Sequence, residues 1–158
     1  MHMLRFDGQV ALVTGAAGGL GEAWVKLLQS RGAKLMLVDI DPRVEDIAKG
    51  LHCQAQIANC ADDGRRIVEN TLKIYGRIDI LIHAATCIRD SAFRKMTREQ
   101  WNEVIDNDLT SAFNMTRAVW PTMRQQSYGR IILCTSASGL YGNFGQVNYA
   151  ASKMALWG

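Results

Sequence analysis

The stretch Val10-Ala11-Leu12-Val13-Thr14-Gly15-Ala16-Ala17-Gly18-Gly19-Leu20-Gly21 decides how this chain folds. Gln9–Thr14 is short and mostly apolar without alternation, the pattern of a strand buried on both faces. A glycine-rich turn follows at once. From Leu20, apolar residues recur at Ala23, Trp24, Leu27 and Leu28, the spacing of one helix face, and Gly32 is a suitable stop. Gly15 permits a tight turn, Gly19 lets a pyrophosphate approach the backbone, and Gly21 allows close packing of the helix. The helix start, with Leu20, then offers unpaired N–H groups to an anion. Gly15, Gly19, Leu20 and Gly21 are therefore the candidate phosphate-binding residues of a dinucleotide site.

Reading outward, Lys34–Val38 is a second strand that ends in Asp39. A carboxylate at that tip can bond both ribose hydroxyls and repels a 2′-phosphate, and Ile40-Asp41 adds no cation. NAD is thus expected over NADP. Pro42 opens a short helix that ends near Gly50, and a weak strand covers Cys53–Ala58. Ile67, Val68, Thr71, Leu72 and Tyr75 outline another helix, and Ile78–Ile82 is a strand interrupted only by Asp79. Thr97 with Gln100 predicts a capping box, opening a long helix towards Gln126 that Pro121 should kink or unwind. Arg130–Cys134 is a further strand, and a last helix contains Tyr149–Leu156. Strands alternate with helices, so the expected architecture is α/β: a doubly wound parallel sheet in one domain over residues 1–158.

Bulk properties narrow the function classes. Of 158 residues, 48% are hydrophobic, enough for a globular core, and the net charge of +3 comes from dispersed cations. With no long basic run, nucleic acid is not an expected partner. No apolar run reaches the roughly 20 residues that span a bilayer, so no membrane partner is expected. Met1–Asp7 does not read as a signal peptide. Cys53, Cys60, Cys87 and Cys134 have neither C-x-x-C spacing nor a histidine at ligand distance, so reduced thiols and no metal are expected. A reducing compartment, cytoplasmic or peroxisomal, fits that pattern.

Chemistry enters with Tyr149-Ala150-Ala151-Ser152-Lys153, whose phenol and ammonium share a helix face. Free tyrosine, with a pKa near 10, is a poor base at neutral pH, and an adjacent lysine favours its phenolate. Lys153 can also hold a nicotinamide ribose. Ser136 follows the Arg130–Cys134 strand, at the sheet end where ligands bind, and can hydrogen-bond a substrate oxygen. Ser138, close by, is assigned to the turn. The candidate catalytic set is therefore Ser136, Tyr149 and Lys153, acting on an alcohol or ketone carbon.

The TGxxxGxG turn from Thr14, Ser136 and YxxxK from Tyr149 together resemble the short-chain dehydrogenase/reductase family over essentially the whole chain. Gly129–Ile132, Ser136–Gln146, Cys87–Asp90 and Trp120-Pro121 are similar to the family's (3R)-hydroxyacyl-CoA dehydrogenases, as carried by peroxisomal multifunctional enzymes type 2. The resemblance implies oxidation of a 3-hydroxyacyl-CoA with NAD, and a homodimer or homotetramer built on the helix from Thr97 and that of Tyr149. It also implies cofactor contacts at Asn59 and Cys60, where Asn59 replaces an adenine-contacting aspartate, at Ala84 and Ala85, and at Tyr149 and Lys153.

Three departures stand out. His83-Ala84-Ala85-Thr86 replaces the family's Asn-Asn-Ala-Gly; Thr86 is expected to crowd the cofactor, and His83 to be a packed structural residue rather than a base. Asp108 stands where the family has a catalytic asparagine that relays protons from the lysine through its main-chain carbonyl, a role Asp108 can preserve; Asn107 is one place early. Family domains of roughly 250 residues imply that a chain ending at Gly158 lacks the last strands and the substrate loop. The alternative expectation is accordingly a nucleotide-binding or dimerising relative without redox turnover.

Overall fold

The computed structural model describes residues 4–158, so the reading of Met1–Asp7 falls partly outside the described residues. Five strands form one parallel sheet: β1 (Val10–Thr14), β2 (Lys34–Asp39), β3 (Gln54–Ile57), β4 (Ile80–His83) and β5 (Arg130–Leu133). Their order is β3-β2-β1-β4-β5, so the winding reverses between β1 and β4. Such a switch point opens a crevice beyond the carboxyl ends of the strands. The register sets Thr14 opposite both Val38 and His83, and His83 opposite Leu133, which brings the loops that carry function to one edge.

Side-chain alternation along these strands builds two cores. Ala11, Val13, Leu35, Leu37, Ile80 and Ile82 face α1 (Gly19–Ser30) and α2 (Arg43–Gly50), meeting Val25, Leu28, Val44 and Ala48. Leu12, Met36, Val38 and Leu81 face the other layer, α3 (Cys60–Tyr75) and α5 (Ser111–Gln125), through Ile67, Val68, Met115 and Val119. This is the doubly wound, Rossmann-type arrangement expected from the strand pattern. The edge strands differ: β3 is nowhere fully buried, and Ile132 of β5 is 39% exposed. Among the described residues β5 pairs only with β4.

The helices depart from expectation in instructive ways. α3 starts at Cys60, well before Ile67, because its first turns are polar and hide the apolar period. Asn59 caps it by accepting from the Ala61 N–H at 3.0 Å, and Asp62 and Asp63 sit where a helix start favours acids. The long helix predicted from Thr97 is three pieces: α4 (Arg98–Val104), a π-helical turn (Ile105–Thr110) and α5. Its capping box forms as predicted, with Thr97 and Gln100 bonding each other's backbone. Pro121, however, lies within continuous helix. The irregularity falls at the π-turn, a frequent mark of functional sites. Buried Met115, Val119 and Met123 hold α5 against its neighbours on both sides of the proline. A short helix, α6 (Ala137–Tyr141), precedes α7 (Val147–Ala155); it is too brief to leave a period in the sequence.

Candidate active site

A cavity of about 340 Å³ lies beyond the carboxyl ends of β1, β2 and β4. Of the residues predicted to hold a nucleotide, Gly15, Asp39, Asn59, Cys60, Ala84 and Ala85 line it. Gly15 has φ +65°, and a Cβ there would stand 2.6 Å from Ala85 N, so only glycine fits. Gly19 and Leu20 are exposed at the start of α1 but outside the lining; Gly19 has open space where a Cβ would point. Gly21 takes the close-packing place read from the sequence. It is buried away from the cavity, with its would-be Cβ 2.0 Å from Gly15 O and 2.8 Å from Ala16 Cα. It therefore lets α1 pack against its own turn.

Asp39 is tied into the turn: its carboxylate accepts from the Ala17 N–H at 2.9 Å and the Asp41 N–H at 3.0 Å. Arg43 was missed in the sequence. It lines the same cavity and pairs with Asp41 at 2.7 Å, so a cation does stand near Asp39, where Ile40-Asp41 alone suggested none. Hydrogen bonding to Arg43 holds the Asp41 carboxyl below its ordinary range. Asn59 spends its side chain on capping α3 and on Asp62, at 2.8 Å. Burial pushes the Cys60 thiol up to about 12, which leaves it inert.

His83 joins β1 to α5. Its Nδ1 lies 2.8 Å from Thr14 Oγ1 and its Nε2 2.9 Å from Ser111 Oγ. One set of protons satisfies the chain: Thr14 donates to Nδ1, Nε2–H donates to Ser111, and Ser111 donates to Asn107 O. Burial, with the nearby Lys153 charge, lowers the imidazole pKa to about 4, so His83 is neutral and fully bonded at physiological pH. That is the structural role expected of it.

The second cluster lies on the β4–β5 side. Lys153, on α7, is 3% exposed; its Nζ donates to Cys134 O at 3.1 Å and lies 5.4 Å from the centroid of the Tyr149 ring. Nζ also pairs with Asp108 Oδ2 at 3.2 Å. Asp108 is fully buried in the π-turn, where its carboxylate accepts from Thr86 Oγ1 at 3.0 Å and the Cys87 N–H at 2.8 Å; Ser152 Oγ, 3.3 Å away, gives its one proton to Tyr149 O at 2.8 Å. Asn107, one residue earlier, lines the nucleotide cavity and donates to Glu103 O. Adjacent helical residues point about 100° apart, so the two serve different clusters. Thr86 belongs to both: it lines the cavity and bonds Asp108.

Ser136 caps α6, with its Oγ accepting from the Ser138 N–H at 3.2 Å. Its hydroxyl proton remains available to donate. Ser138 donates to Gln146 Oε1 at 3.0 Å, in keeping with its turn role. The sequence reading gave neither Gln146 nor Asn148 a role of its own. Gln146 donates to the Asp90 carboxylate at 3.1 and 3.2 Å, and buried Asn148 donates to Arg89 O at 3.0 Å and Gln100 O at 3.1 Å. Together they moor the start of α7, and hence Tyr149, to the loop after β4.

A cavity lined by the glycine turn at the switch point, joined through Thr86 and Asp108 to a buried lysine that shares a helix with Tyr149, fits a dehydrogenase class, and comparison with known families agrees. Residues 9–158 match the short chain dehydrogenase family, and the chain belongs to it. Its members are oxidoreductases whose Rossmann-type fold takes a nicotinamide cofactor. Peroxisomal multifunctional enzyme type 2 of Drosophila melanogaster is 41% identical over 98% of this chain, and the chain spans 28% of that protein. The peroxisomal hydratase-dehydrogenase-epimerase of Saccharomyces cerevisiae is 40% identical over 98% of this chain, with 19% of its own length covered. A short chain dehydrogenase from Mycobacterium avium superposes with a TM-score of 0.89 at 26% identity, covering 95% of this chain and 60% of that one. Among the described residues no helix is long and apolar enough to cross a membrane, and no group of three or more His, Cys, Asp or Glu residues could hold a metal.

Proposed function

We propose that this chain is the nucleotide-binding and catalytic part of an NAD-dependent 3-hydroxyacyl-CoA dehydrogenase, a single incomplete Rossmann-type domain. The observation that carries the reading is Lys153, buried with its Nζ 5.4 Å from the Tyr149 ring centroid, at the end of the sheet that also holds the nucleotide cavity. The names of the relatives support the acyl-CoA substrate and a peroxisomal setting. Exposed Phe113 and Trp120 on α5 support self-association along α4–α5 and α7.

The residues present fit a dinucleotide. Gly15 keeps the turn open where any Cβ would strike Ala85, and the start of α1 turns its free N–H groups outward for a pyrophosphate. Asp39 holds the adenosine ribose and disfavours a 2′-phosphate, while Asn59 and Cys60 border the adenine. Ala84 and Ala85 border the rest of the cofactor, with Tyr149 and Lys153 at the nicotinamide ribose. The nicotinamide, when bound, supplies the hydride acceptor. Ser136 donates a hydrogen bond to the substrate oxygen, and Tyr149 takes the proton from it during oxidation or returns it during reduction. Lys153 favours the phenolate by its charge. Asp108, at the π-turn, completes the route by which that proton reaches solvent.

An NADH-linked assay with acetoacetyl-CoA, run on the chain and on Tyr149→Phe, tests this. Turnover that falls by at least a hundredfold in the variant is expected, the usual worth of a positioned acid–base group; turnover that survives removes Tyr149 from the reaction. A second reading, a nucleotide-binding relative without redox turnover, is favoured by the direct Lys153–Asp108 pair, which engages the lysine needed at Tyr149. Saturable NADH binding with no turnover in the same assay would decide for it.

A further inference from the structure

We infer that Asp108 is a positioning residue that acts on the Tyr149 proton step through Lys153, moving that step to higher pH than a neutral side chain at position 108 would allow. The inference rests on the proposed dehydrogenase reading but uses a different atom of Asp108: the side-chain carboxylate, where the expected relay used only the main-chain carbonyl. Two donors besides Lys153 fix that carboxylate: Thr86 Oγ1 at 3.0 Å and the Cys87 N–H at 2.8 Å. Lys153 Nζ is held between Asp108 Oδ2 at 3.2 Å and Cys134 O at 3.1 Å, and Tyr149 is the aromatic ring beside it.

The surroundings leave this pair in control. His83 of β4 is neutral, its pKa lowered to about 4 by burial and by the Lys153 charge. Burial raises the thiols of Cys87, after β4, and Cys134, after β5, so both are uncharged at neutral pH. Arg89 on the loop after β4 and Glu103 of α4 pair with each other at the surface, and Asp90 is bonded to Gln146. Lys153 and Asp108 are thus the one buried cation and the one buried anion around Tyr149 within this set. A carboxylate in contact with the ammonium cancels much of the positive potential that would otherwise draw out the phenolic proton. It also adds negative potential of its own, and both effects act in the same direction. No bond is made or broken by Asp108; it changes when Tyr149 gives up its proton.

The test is a tyrosinate absorbance titration of the full chain and of Asp108→Asn, each subtracted from its Tyr149→Phe counterpart to isolate one phenol. Asparagine keeps the size and can still accept from Cys87 N–H. The Tyr149 component is expected to move to lower pH by about one unit or more in Asp108→Asn, with the acidic limb of any NADH-linked turnover moving with it. Coincident titrations would overturn the inference. A stability cycle covers the case in which Asp108→Asn folds poorly. If the pair is real, Asp108→Asn/Lys153→Met has a higher melting temperature than Lys153→Met alone, which strands a buried carboxylate; equal or lower stability of the double variant overturns it. The two readings fail separately. A shifted titration without turnover removes only the dehydrogenase proposal, and turnover with coincident titrations removes only the role of Asp108.

Discussion

The two sides of the sheet build their sites from different materials. On the β1–β2 side the cavity is shaped by backbone: a left-handed Gly15, a Gly21 packed onto its own turn, and a carboxylate, Asp39, that bonds two main-chain N–H groups. On the β4–β5 side it is shaped by buried polar side chains. Asp108, Thr86 and Lys153 come from the π-turn, a loop and α7, and the Asp108 carboxylate accepts from both of the others. The first construction tolerates changes of charge but no added atom at the glycines. The second tolerates small changes of shape but no loss of a charge, because an unpaired buried ion costs far more than a cavity of similar size.

The sharpest way to break this contrast is Lys153→Met. It leaves Asp108 as an uncompensated buried anion and is expected to lower unfolding stability by about 3–5 kcal/mol in urea titration, while NADH binding by the folded fraction weakens only modestly. A loss confined to binding would mean that the pair contributes nothing to the fold.

His83 sits on the seam between the two sides and gives the next largest effect. Above the ordinary histidine value of 6.5, the folded and unfolded chains both hold a neutral ring. Between 6.5 and about 4 only the unfolded chain takes up the proton, so stability falls as pH drops through that window and levels off below it. The loss attributable to His83 is about 3 kcal/mol. Denaturation curves at several pH values should show it, and His83→Asn should flatten them across that window; an unchanged slope would place the acid sensitivity elsewhere.

Gly21→Ala probes the backbone side. The new methyl carbon would lie 2.0 Å from Gly15 O, a main-chain atom that cannot move without opening the turn. A loss of about 1–3 kcal/mol, together with loss of NADH fluorescence enhancement, is expected; a variant that binds normally would show the turn to be more compliant than its packing. The smallest effect belongs to Asp39→Asn. The amide can still accept from one of the two N–H groups, so folding should be preserved, but the preference for NADH over NADPH should fall about tenfold, roughly 1.4 kcal/mol. A preference that persists would shift the discrimination to the second carboxylate, Asp41, which lines the same cavity.

The backbone-built side was largely legible in the sequence. Apolar runs fix β1, β2 and β4, glycine has few substitutes where φ is positive, and a strand–turn–helix order leaves little freedom in where Gly15 and Asp39 stand. What escaped the reading there was polar or local. The first turns of α3 carry Asp62, Asp63, Arg65 and Arg66 rather than an apolar stripe, and Arg43 reaches the cavity from a helix that sequence treated as a connector. Similarly, Pro121 does not unwind the long helix, since packing holds α5 through it, and the change of helix type lies at Ile105–Thr110.

By itself, then, the sequence determined the parallel α/β sheet, the glycine turn and the pairing of Tyr149 with Lys153 on one helix, because each depends on residues close along the chain. Tertiary structure alone decided the partner of Lys153, the neutral state of His83 and the mooring of α7 by Gln146 and Asn148. Those contacts join segments far apart in sequence. No local periodicity encodes which buried donor meets which acceptor, since that follows only once the strands are in register and water has been excluded.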